Sequence, residues 1–233
     1  VVNAAVSQAG QRMASDAYLD KVMGLYAGHA LAPLLTEGLS LRRALMTDVV
    51  MQEMQELQAS GRTALSATGF ALEAQRMARF MRQHAELSLA FMDVGGWDTH
   101  AGQGGAQGQL ANRLAALGQG IELFAQELGG AWQNTVVVVM SEFGRTFHEN
   151  GSGGTDHGHG NLMWIAGGAV AGGCVRGDQS PLVPGALHQG RDLPVLHDYR
   201  DVLAGLFQRM YGLRPAQLNQ IFPGTRPNNL GAL

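Results

Sequence analysis

Cysteine is all but missing from these 233 residues: Cys174 stands alone. An intrachain disulfide and a cysteine metal cluster are therefore excluded, which suits the cytosol and leaves the periplasm open. Charge is scarce as well, at 15% against about 25% in average proteins, and that deficit argues against a long disordered tail. The balance is mildly acidic, net −3, with no Lys/Arg cluster, so a dedicated nucleic-acid binder is not expected. No apolar run approaches the roughly 20 residues of a membrane span. The chain opens on Val1 without a signal-peptide pattern and reads as a fragment or processed chain.

Glycine is what the sequence has in excess. There are 33, about twice the usual share of roughly 7%, and they concentrate between Gly95 and Gly190. The length suits one large α/β domain, or one domain with an appendage, and is enough to bury a sizeable core.

The first third, residues 1–84, reads as a helical, Met-rich segment packing on a sheet. Met46, Val50, Met54 and Leu57 recur at helical spacing, with Ser40 placed to cap that helix. Phe70, Ala74, Met77 and Met81 repeat the pattern, and Ala59–Arg62 between them reads as a loop. Residues 85–233 have an α/β texture. Leu87–Asp93 reads as a short buried strand, and Leu110, Leu114, Leu117, Ile121, Phe124 and Leu128 mark an amphipathic helix. Thr135–Met140 (TVVVVM) reads as a strand buried on both faces. A Gly-rich loop covers 150–160, Leu162–Ala166 reads as another strand, and Asp198 is placed to cap a last helix. Strand, helix, strand in this order predicts a right-handed crossover and a mostly parallel sheet, with function at the carboxyl ends of the strands.

Three polar clusters border the predicted strands: Asp98 and His100; Ser141, Glu142 and Arg145; Asp156, His157 and His159. Asp, Glu and neutral His are the ligands that Zn²⁺ and similar divalent ions use. Six such side chains beside small glycines would hold one or two ions if the strands are parallel neighbours. A plainer reading stays open, in which Asp98 forms an Asx turn and His157 and His159 are solvated loop residues. No serine sits in a nucleophile elbow, and no P-loop ending follows the glycines.

FMDVGGWDTH (91–100), TVVVVMSEFGRT (135–146) and NGSGGTDHGHGNLMWIAGGAVAGG (150–173) together resemble a bacterial family catalogued as domain of unknown function fifteen hundred and one. That family is placed in the alkaline phosphatase and sulfatase superfamily. The resemblance runs from about Leu87 to Phe222 and implies a central, mostly parallel sheet between helices, with divalent metal at its edge. It implies that Asp98, His100 and His157 serve one ion. Glu142 stands where an Asp of a second ion would be, with Asp156 or His159 as replacement ligands, because Phe143 stands where the partner His would be. Arg145 is a candidate for pairing with a phosphate or sulfate group.

The function so implied is metal-dependent hydrolysis of phosphate or sulfate esters, this chain being the C-terminal portion. The alternative is a catalytically silent metal- or anion-binding envelope protein of the same fold. The resemblance further implies a periplasmic or exported protein, probed by a small ester or anion, with self-association or a covering N-terminal segment as the expected partners. No nucleophile is identified within the chain, so metal binding with slow turnover is expected of it alone.

Overall fold

The computed structural model describes residues 2–6, 16–47, 67–85 and 87–233. The predicted positions Val50, Met54 and Leu57 and the Ala59–Arg62 loop lie outside the described residues. The chain divides into two compact units. The first comprises residues 1–97 with 112–128, and the second 98–111 with 129–233.

In the first unit, β1 (Val2–Val6) and β2 (Ala90–Val94) form a parallel pair with Val2 opposite Ala90 and Val6 opposite Val94. Between them in the chain come α1 (Asp16–Leu25), α2 (Ala32–Thr47) and α3 (Ala67–Gln83). Ser40 does not cap a helix; it lies inside α2, which starts at Ala32-Pro33. Proline's fixed φ suits the first helical turn, so the helix starts well before the serine.

The periodicity read in 70–81 corresponds to α3, whose buried stripe is Ala71, Ala74, Met77 and Ala78. The amphipathic run at 110–128 corresponds to α4 (Gln109–Leu128), with Leu117, Gly120 and Leu128 buried. Gly120 receives the ring of Phe70 so closely that a Cβ there would meet its Cε1 at 2.3 Å. Glu127 then ties the two helices, accepting from Gln75 and from Arg79 at 3.3 Å each while Arg82 donates to its carbonyl at 3.0 Å. Those donors hold the Glu127 carboxyl below its ordinary value, Arg79 first among them, against a smaller opposing contribution from burial.

The second unit is built on β3 (Val137–Val139) and β6 (Trp164–Ala166), an antiparallel pair with Val138 opposite Ile165. The expected β2–α4–β3 crossover within one parallel sheet is not shown. Among the described strands β2 pairs with β1, β3 with β6, and two of the three pairings are antiparallel. A run of valines supplies apolar surface for either direction, so it could not choose. Nor is β3 fully buried. Val136 and Val138, with Met163 and Ile165, pack on Val202 and Leu206 of α5 (Tyr199–Tyr211), as strand alternation requires.

Asp198 is the cap of α5, as its position suggested: its side chain accepts the Arg200 amide, and Gly212 closes the helix at φ 62°. A further short helix, α6 (Pro215–Ile221), follows. Finally β4 (Gly144–Arg145) and β5 (His157–Gly158) form a two-rung antiparallel ladder that sets Arg145 opposite His157. The expected 150–160 loop therefore contains a strand.

Candidate metal centre

Local backbone structure in the second unit brings Asp98, His100 and His157 together. Between the first two, Thr99 is buried, and its hydroxyl donates to Gln103 Oε1 at 2.7 Å. Thr155 donates to the same Gln103 oxygen at 2.7 Å, fastening the 150–156 loop to this segment. The loop approaches so closely that a Cβ on Gly154 would meet the Thr99 and His100 carbonyl oxygens at 2.4 Å, and only glycine fits. His157 comes from β5. Gly144 allows that hairpin to close, since a Cβ there would lie 2.0 Å from the Gly160 carbonyl oxygen.

The result is a triangle. Asp98 Oδ1 lies 2.9 Å from His100 Nε2 and 2.9 Å from His157 Nε2, and the two nitrogens are 3.1 Å apart. Among the described residues, this is the group of three His, Cys, Asp or Glu side chains whose ligand atoms all lie within 4.8 Å of one another. Donor atoms on one tetrahedral Zn²⁺, bound at roughly 2.0–2.1 Å, sit about 3.3–3.4 Å apart. An opening of a few tenths of an ångström would thus admit the ion, and one carboxylate with two imidazoles is a donor set that suits it. The side chains are accessible, Asp98 at 65% and His157 at 48% exposure.

The Asp98 carboxylate is held in its ionised form. Hydrogen bonding from His157 leads in holding the Asp98 carboxyl below its ordinary range, with Arg145 and the charges of both histidines adding to it against a contribution from burial. Arg145 Nη1 donates to the same Asp98 Oδ1 at 2.9 Å, and Nη2 donates to Thr99 Oγ1 at 3.3 Å. A single oxygen thus faces three nitrogen-bearing side chains. Arg145 stands beside the triangle.

The remaining predicted ligands lie elsewhere. Asp156 is on the far side of His100, its Oδ1 3.2 Å from Nδ1. His159 turns to Asp192, which is fully buried. Asp192 Oδ2 accepts the His159 amide at 2.7 Å and lies 2.8 Å from its Nδ1. Glu142 has the Ser141 hydroxyl at 3.4 Å and is exposed. Phe143 stacks on His157 with ring centroids 4.2 Å apart and planes 35° apart. It braces the imidazole.

Two further residues, Asn150 and Asp192, hold the surroundings of the triangle. Asn150 donates to the His100 carbonyl at 3.0 Å and to Asp156 Oδ1 at 2.9 Å, while its own oxygen accepts the Ser152 and Gly154 amides. Asn before Gly-Ser-Gly-Gly is a turn signal in the sequence. Asp192, in Arg-Asp-Leu-Pro, has no spacing pattern at all.

A family model described as "Protein of unknown function (DUF1501)" matches residues 26–222. No curated protein and no solved structure matches the chain. With most of its length covered, the chain belongs to the DUF1501 family.

Proposed function

We propose that this chain carries a divalent-metal centre, most readily for Zn²⁺, of a hydrolase acting on phosphate or sulfate esters. The observation behind it is the Asp98–His100–His157 triangle, three ligand types of one ion with edges near 3 Å. We place the family, on its three motifs, in the alkaline phosphatase and sulfatase superfamily. A bound divalent ion would supply Lewis acidity toward an ester oxygen. The chain's own residues would do the rest. Asp98, His100 and His157 hold the ion, and Arg145, once shifted from Asp98 Oδ1, pairs with the anionic group through its two-pronged guanidinium. A second ion would draw on Glu142. The superfamily reading also carries an exported, periplasmic location.

Thermal melts with Zn²⁺ or Mn²⁺ against a chelator test the centre, because an ion that binds only the folded chain must stabilise it. A rise with metal that vanishes in His157→Ala is expected, and identical melts throughout would sink the reading. Release of nitrophenol from aryl phosphate and aryl sulfate then reports on turnover. We expect slow, metal-dependent release by the chain alone, lost in Asp98→Ala. Metal binding with no release would favour a second reading, a silent metal-binding protein. Phe143 packed on His157, at the position expected of a second-ion histidine, speaks for that alternative.

A further inference from the structure

The triangle has two unlike flanks. Beside Asp98 stands a cation, with Arg145 Nη1 2.9 Å from Oδ1. Beside His157 stands the Phe143 ring, its centroid 4.2 Å from that of the imidazole. Phe143 is 36% exposed, so the ring is not part of a core. Nor is it isolated. Asn161 Nδ2 donates to the Ser141 and Phe143 carbonyls at 3.3 and 3.0 Å, tying 161–164 to 140–143. These two joined segments carry Met140, Phe143, Leu162 and Trp164, all exposed. Met163 and Ile165 already pack toward α5, so Trp164 between them projects from the other face of the β3–β6 pair. Apolar side chains scattered singly on a surface need no explanation, but four on two joined segments beside a polar centre do.

The polar groups among them are already engaged. The Ser141 hydroxyl donates to the Phe143 carbonyl at 3.0 Å, and the Asn161 amide is shared between two carbonyls. The charged residue of 140–143 and 161–164 is Glu142, and its sign disfavours an anion on this flank. Small-molecule sites combine a few polar groups that orient the ligand with apolar walls that give affinity. Here an anionic head belongs at the Arg145 flank, and an apolar body gains most at the Phe143 flank, where ring-on-ring contact adds to the burial of apolar surface. A body rich in hydroxyls would lose water there without finding new partners. We infer that the ligand of this centre is an oxyanion ester of an apolar alcohol or phenol, not of a sugar or nucleoside, and that Phe143 selects it. This rests on the proposed function. It concerns binding, so it applies to a hydrolase and to a silent anion-binding protein alike.

Phosphonates and sulfonates present the same head groups on C–P and C–S bonds that ester hydrolysis leaves intact, so binding is read without turnover. In calorimetric titration of the Zn²⁺-loaded chain, phenylphosphonate or benzenesulfonate should bind roughly five- to tenfold more tightly than its methyl counterpart. The polar 2-hydroxyethylphosphonate should bind no more tightly than methylphosphonate. In Phe143→Ala the phenyl-to-methyl ratio should fall to about two or less. Phe143→Leu keeps apolar surface without the ring, should give an intermediate ratio, and serves where the alanine variant does not fold. The ratio is the informative readout, because losing the brace on His157 would weaken phenyl and methyl ligands alike. Equal phenyl and methyl affinity in the unsubstituted chain would overturn the inference and leave the proposed function standing. So would a ratio unchanged in both variants. A chain that takes up Zn²⁺ but binds neither head group would overturn the inference and the ester reading together, and one that takes up no Zn²⁺ would remove the metal centre as well.

Discussion

Asp98 and Asp192 are both carboxylates met by histidines in the second unit, yet one side chain is 65% exposed and the other 0%. Asp192 divides its oxygens neatly. Oδ2 takes the His159 amide and faces its ring, and Oδ1 accepts from Arg191 Nε at 3.0 Å. Burial pushes its carboxyl up, and the His159 and Arg191 donors outweigh that, so it stays ionised. Asp98 instead crowds one oxygen with two histidines and Arg145 in open solvent. A buried carboxylate with matched donors serves the fold, because leaving any of those donors alone would be costly. An exposed carboxylate gains little stability from its pairs.

The comparison breaks first at Asp98. Asp98→Ala should weaken Zn²⁺ or Co²⁺ binding by at least roughly 100-fold, more than loss of an outer carboxylate would, while the metal-free melting temperature stays where it was. Parallel calorimetric titrations and melts measure both. A large fall in metal-free stability would put Asp98 in the same class as Asp192.

Asp192→Ala should show the reverse. Losing the acceptor of the part-buried His159 amide and the Arg191 contact should cost about 1–3 kcal/mol in urea unfolding. Metal affinity, read on the fraction still folded, should fall far less than in Asp98→Ala.

Asp198 calibrates both, as a carboxylate with a purely structural task. Asp198→Ala should cost about 1 kcal/mol, the usual worth of a helix N-cap. Arg200, through its side chain and then its amide, lowers the Asp198 carboxyl from its ordinary value, burial opposing less strongly. The folded value lies below the unfolded one, so this stability is complete above the ordinary carboxylate value and is lost as pH falls through the depressed folded value. The penalty of Asp198→Ala should therefore be full at pH 7 and vanish in strong acid. The smallest effect should be that of Glu142→Gln, whose exposed carboxylate has one long contact: stability within about 0.5 kcal/mol of the unsubstituted chain, with the first-ion affinity unchanged.

Much of this could be read in the sequence, for reasons that differ by element. The leucine spacing from 110 to 128 and the valines at 136–139 carry strong local signals, and the helix and strand lie there. Pairing is a different matter. Strand partners depend on contacts distant in sequence, so the valines could not reveal that β6 runs antiparallel beside them. A two-residue strand such as β5 is too short for any periodicity. For the site, residue type nominated six side chains, and the family resemblance singled out Asp98, His100 and His157, whose ligand atoms lie together. It could not say which ring nitrogen faces which carboxylate, and so could not separate Asp156, behind His100, from a ligand in front of it. His157 and His159, two residues apart, looked equivalent until Asp192 took one of them.

The backbone contacts at Gly154 and Gly144 bear on any attempt to move this centre to another protein. Grafting the aspartate and two histidines onto a host hairpin would copy the donors but not the spacing between their carriers. At both positions the neighbouring carbonyl oxygens occupy the volume a side chain would need, 2.4 Å and 2.0 Å from the would-be Cβ. A host with alanine at either place would hold its strands apart and stretch a triangle whose edges are about as long as a hydrogen bond. The portable unit is therefore the ligands together with two missing methyl groups.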